Sequence, residues 1–99
     1  MTDRAARAFV TGQVQQVGYR QSCRQAARSL GLVGWVRNLI DGRVEVFAQG
    51  EAEDVDRLIS WLWGGPAMAV VIGVESETVA PDSTLRDFFI HPNPMKSES

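Results

Sequence analysis

Small and apolar residues at Ala6, Ala8, Val10, Gly12 and Val14 alternate with Arg7, Phe9, Thr11 and Gln13. Successive side chains of a strand point to opposite sides, so this period of two predicts a strand with one covered face. The period then changes. Cys23, Ala26, Ala27 and Leu30 recur at i, i+3, i+4 and i+7 and share one face of a helix, and Gly31 follows as the expected left-handed cap.

The stretch "LVGWVRNLIDGRVEVFAQG" reads as two strands joined at Asp41-Gly42. A two-residue loop would put Arg37 on the same face as Val44 and Val46. A loop of Ile40, Asp41 and left-handed Gly42 aligns Val36 with them instead, and is the expected register. It places Gly34, Val36, Asn38, Val44, Val46 and Ala48 on the covered face, with Trp35, Arg37, Glu45 and Phe47 on the other. Val55, Leu58, Ile59 and Leu62 mark a second helix, with Glu51, Glu53 and Asp54 near its positive end and Gly64-Gly65-Pro66 closing it. Trp61 and Trp63 flank that stripe and read as packing residues. A strand over Val70 to Val79 and a short last one within "LRDFFI" complete the elements.

The order β-α-β-β-α-β predicts an α+β, ferredoxin-like sandwich, an antiparallel sheet with two helices on one face. With 99 residues the chain suits one domain, expected over 1–91, that folds without disulfide or structural metal. A flexible tail is expected over 92–99, and His91 beside it is read as solvated.

Composition narrows the chemistry. The longest apolar run, "AMAVVIGV", falls well short of the roughly 18 residues a membrane span needs, and no leader is visible before the first strand. A single cysteine, Cys23, permits neither an internal disulfide nor a thiolate cluster; it reads as a small core hydrophobe, and a cytoplasmic protein is expected. One histidine and no Ser-His-Asp arrangement leave metal catalysis and triad hydrolysis poorly supported.

What remains is "VQQVGYR", Val14 to Arg20, between the first strand and the first helix. Free backbone N–H groups at a helix start attract an anion, and a guanidinium there offers two donors to two phosphate oxygens. The plain alternative is a loop arginine that only caps or solvates. Asn38 bears on the choice, because a carboxamide on a covered face needs partners or costs about 1–3 kcal/mol. It either bonds neighbouring backbone or orients a water beside a held phosphate.

Two segments together resemble the acylphosphatase family, small ferredoxin-like enzymes that hydrolyse carboxyl-phosphate anhydrides. "VTGQVQQVGYR" is similar to the pattern V-x-G-x-V-Q-G-V-x-F-R, and "GWVRNLIDGRVEVFAQG" fits G-W-V-x-N-x-x-x-G-x-V-x-x-x-x-x-G throughout. The resemblance implies that Arg20 binds the phosphate, that Asn38 positions the attacking water, and that the backbone of Gln15, Gln16, Val17, Gly18 and Tyr19 forms a cradle. It implies a small acyl phosphate as substrate, inorganic phosphate as product, and no metal or cofactor; a monomer without nucleic-acid or membrane partners is expected. Two positions depart from the pattern. Tyr19 stands for phenylalanine, and Gln16 stands for a glycine; a left-handed backbone at Gln16 would cost about 1–2 kcal/mol and set a side chain beside the phosphate.

Two other readings compete. Phe9, Trp35 and Phe47, with Arg7, Arg37 and Arg43 nearby, could stack bases on an open sheet face, against which stand the net charge of −2 and the missing aromatic-glycine RNA motif. Alternatively, an acylphosphatase-like domain could bind a phosphorylated group without turning it over.

Overall fold

The computed structural model describes residues 3–93, and along them run β1 (Asp3–Gln13), α1 (Tyr19–Ser29), β2 (Val33–Asn38), β3 (Val44–Glu51), α2 (Ala52–Gly64), β4 (Val70–Val79) and β5 (Phe88–Ile90). The predicted α+β, ferredoxin-like order is present, and the strands lie in the order β4-β1-β3-β2-β5. Ala6, Ala8, Val10, Val36, Val44, Val46 and Ala48 form the covered face of the sheet. Against it pack Cys23 and Ala27 of α1, and Val55, Leu58 and Leu62 of α2. Each fully buried Val or Leu contributes about 1.5–3 kcal/mol, so two short helices suffice to hold the sheet.

Local signals set the details. The β2–β3 hairpin takes the three-residue loop: Leu39 N–H donates to Arg43 O at 2.8 Å, and Gly42 has φ +96°. Val36 therefore faces Val46 and Asn38 faces Val44, the register that keeps Arg37 off the core face. α1 ends in paired bonds, Gly31 N–H to Arg28 O and Leu32 N–H to Ala27 O, both 3.0 Å, which satisfy carbonyls the helix leaves open.

The sheet is mixed, a correction to the expected antiparallel one. β5 pairs in parallel with β2. The chain leaves β4 at one edge, crosses the end of the sheet, and returns at the other edge, so β5 runs against β4 and along β2. Four strand spacings are about 19 Å, within the roughly 27 Å reach of the eight residues between them. Gln49 of β3 clips the crossing midway: its Nε2 donates to Asp82 O at 3.2 Å and its Oε1 accepts from Asp82 N–H at 2.7 Å.

The face away from the helices is less open than expected. β3 is the central strand, and Glu45 and Phe47 are each 6% exposed. Arg37 and Arg7 both reach Glu45, at 2.8 and 3.5 Å, while Trp35 stacks on Phe47 with centroids 5.9 Å apart. His91, expected to be solvated, is half-buried; its N–H donates to Val36 O at 2.9 Å and its ring lies 5.3 Å from Trp35. Of the expected tail, residues 94–99 lie outside the described residues. Trp61 packs on Tyr19 at 5.5 Å, whereas Trp63 is exposed. No helix among the described residues is long and apolar enough to cross a membrane.

Candidate active site

Between β1 and α1 the backbone alternates in handedness. Gln16 has φ +62° and Gly18 φ +79°, while Gln15 and Val17 are not in that region. Such alternation turns successive N–H groups toward one side, the concave arrangement that receives anions. Gly18 is the N-cap of α1 and has no side chain to cap the first turn, which also holds no acidic residue. The helix's positive end is left for a ligand. Buried Val14 and Tyr19 anchor the two ends of the loop in the core. A pocket of about 230 Å³ opens beside it, lined by Val14, Gln16, Gly18, Tyr19, Arg20, Gln21 and Ile90.

Two of the residues expected to form a cradle have a further part, played by their side chains. Gln15 Nε2 donates to Leu39 O at 2.9 Å and to Arg43 O at 3.0 Å, tying the loop to the β2–β3 hairpin next to Asn38. Tyr19, the residue in place of phenylalanine, donates its hydroxyl to Leu62 O at 2.6 Å. That carbonyl is in the last turn of α2, where helix geometry leaves carbonyls without partners. Space for the ring comes from Gly65, where a Cβ would sit 2.5 Å from Tyr19 Cε2. Burial pushes the Tyr19 phenol well above its usual range and the Cys23 thiol up to about 12, so neither is a nucleophile near neutral pH.

Arg20 is the second residue of α1 and lines the pocket. Asn38, the last residue of β2, is only 9% exposed, and its Oδ1 is buried with no hydrogen-bond partner among the described residues. A buried carboxamide oxygen left unpaired costs about 1–3 kcal/mol, which a bound water or substrate group would recover. Asn38 does not itself line the pocket. What joins it to Arg20 is a residue outside both motifs: Asn93 Oδ1 accepts from Asn38 N–H at 3.2 Å and from Arg20 Nη1 at 3.4 Å. No periodicity in "HPNP" marks Asn93, which belongs to no strand or helix. Asp41, in the hairpin turn, is held below the usual carboxylate range by the Arg43 N–H at 3.1 Å, and also pairs with Arg43 Nε. It is a turn residue rather than a base. Among the described residues no group of three or more His, Cys, Asp or Glu is placed to hold a metal.

An α+β sandwich with an anion-receptive loop at the N-terminus of its first helix, an arginine in that first turn and an asparagine on the adjoining strand defines a small phosphate-handling domain. The family model described as Acylphosphatase matches residues 6–90, so the chain belongs to the acylphosphatase family. It is 53% identical over 73 residues to the acylphosphatase of Nitrosococcus oceani, covering 74% of this chain and 82% of that one. With the acylphosphatase of Anaeromyxobacter dehalogenans it shares 50% identity over 91 residues, 91% of this chain and 98% of the relative. The solved structure of an acylphosphatase from Coxiella burnetii superposes with a TM-score of 0.84 at 39% identity, covering 90% of this chain and 93% of the other. These matches make the protein a hydrolase with acylphosphatase activity.

Proposed function

We propose that the protein hydrolyses the carboxyl-phosphate bond of small acyl phosphates without a metal, using Arg20 to hold the phosphoryl group and Asn38 to orient the attacking water. The observation that carries this reading is the buried Oδ1 of Asn38, unpaired among the described residues and set at the end of a strand whose backbone shares one acceptor with Arg20. The amides of Gln15, Gln16, Val17, Gly18 and Tyr19 supply the remaining donors. Water oxygen bonds to phosphorus as the bond from phosphorus to the carboxylate oxygen breaks, and the electron pair leaves with the carboxylate. The water proton passes to a phosphoryl oxygen. A carboxylate leaves unprotonated, its acid having a pKa near ~4, so no general acid is required. Positioning and charge stabilisation are the demands of phosphoryl transfer, and amides with one guanidinium meet them.

The test is hydrolysis of benzoyl phosphate with chelator present. Arg20→Ala and Asn38→Ala are each expected to lower kcat/KM by on the order of 10²–10³, as losing one oriented donor does in other sites, with circular dichroism unchanged. Wild-type rates in both variants would refute the roles. Every residue invoked belongs to one chain, so a monomer suffices, and a lone buried Cys23 suits a reducing cytoplasm. One observation favours the second reading, a non-catalytic binding module: Gln16, in place of the pattern's glycine, lines the pocket. Tight binding of inorganic phosphate with no turnover would select it.

A further inference from the structure

Among the described residues, Asn93 hydrogen-bonds both proposed site residues, and its placement has visible causes. Arg28 of α1 holds the start of β5, its Nε donating to Phe88 O at 3.0 Å and its Nη2 to Asp87 Oδ2 at 2.9 Å. Beyond β5, the His91 N–H bonds Val36 O, and Pro92 supplies no donor and a restricted φ. The next donor along that edge of β2, Asn38 N–H, is met by the side-chain oxygen of Asn93 in place of a backbone carbonyl. The same oxygen accepts from Arg20 Nη1.

We propose that Asn93 is a positioning residue of the active site, whose Oδ1 fixes the Arg20 guanidinium and the end of β2 in one arrangement before substrate binds. This rests on the reading of Arg20 and Asn38 given above. The chemistry of the acceptor matters. A guanidinium has five N–H donors, and one amide oxygen engages one of them, leaving the others for phosphoryl oxygens. Being neutral, that oxygen orients the cation without cancelling its charge. A carboxylate in the same place would pair with Arg20 and compete with the phosphate for it. Arginine held in its binding geometry beforehand loses less freedom on binding, so the gain falls on ground-state affinity.

The experiment compares the full chain with its Asn93→Ala and Asn93→Asp variants, reading kcat and KM for benzoyl phosphate, Ki for inorganic phosphate, and Tm. Asn93→Ala is expected to raise KM and Ki together by about threefold to tenfold, the worth of one ordinary hydrogen bond, with kcat and Tm little changed. Asn93→Asp, which keeps the acceptor but adds charge, is expected to raise both further. Unchanged KM and Ki in Asn93→Ala would overturn the proposal, and so would a decrease, which would mean that the carboxamide competes with phosphate. Arg20→Ala is measured alongside. Should it retain full activity, the site reading itself fails; should it lose activity while Asn93→Ala matches wild type, only the role of Asn93 falls.

Discussion

Gln16 shows how one residue can act in two opposed ways. Its φ of +62° is the left-handed conformation that costs a non-glycine residue about 1–2 kcal/mol, and the residue lines the pocket. Glycine would remove the strain but would give back about 0.5–1 kcal/mol in unfolded-chain entropy. Gln16→Gly is therefore expected to stabilise the fold by about 0–1.5 kcal/mol. Its larger effect is expected in KM, which should fall as the pocket loses a side chain. A denaturation midpoint well below wild type, or a KM that stays or rises, would contradict this account. The departure from the family pattern at Gln16 was legible in the sequence, and so was its strain, given a left-handed backbone there. That the residue borders the pocket needed the folded chain.

At the scale of elements, the site depends on joins between neighbours more than on any one helix or strand. Tyr19 opens α1 and, through its hydroxyl, closes α2 on Leu62 O, so the first turn of one helix is fastened to the last turn of the other. Tyr19→Phe leaves the Leu62 carbonyl buried beside a ring and should cost about 1–2 kcal/mol of unfolding free energy, read from urea denaturation. Because the family pattern has phenylalanine here, kcat should hold within about twofold. A drop in kcat with unaltered stability would instead assign the hydroxyl to the chemistry. Sequence reasoning noted that this hydroxyl needs a partner but could not name it, since Tyr19 and Leu62 lie in different elements. Gln15 is a similar case. Read as a backbone donor, it proves to tie the loop to Leu39 O and Arg43 O through its side chain.

At the scale of the whole molecule, three exposed carboxylates have local partners that lower their pKa. Asp41 is lowered chiefly by the Arg43 N–H, Asp82 by the Thr84 hydroxyl, and Asp87 by the Phe88 N–H. In each the folded pKa lies below the unfolded one, so the unfolded chain takes up protons more readily as pH falls. The stabilisation is present above the unfolded value, near ~4, and is lost as pH drops through the folded values. The urea midpoint should be level from about pH 7 to 5 and decline below about pH 4. A midpoint that holds to about pH 3 would show that these aspartates do not support the fold. Asp82 and Asp87 both lie on the crossing that leads to β5, which links acid sensitivity to the segment delivering Asn93.

The sequence by itself determined the elements and their faces. Periods of two and 3.6 are local, a glycine at a loop's third position is local, and burial of Arg37 is a penalty large enough to choose the hairpin register without any tertiary information. It also singled out Arg20 and Asn38, because a helix-start arginine and a core-facing asparagine are each unusual where they stand. Only the tertiary structure decided what depends on distance between remote residues. The parallel pairing of β5 follows from the crossing over the sheet end, and the burial of Glu45 and Phe47 follows from β3 becoming the central strand. The meeting of Arg20, Asn38 and Asn93 at one oxygen is of the same kind: no pattern along the chain encodes it, because it is set by the packing of α1, β2 and β5 against one another.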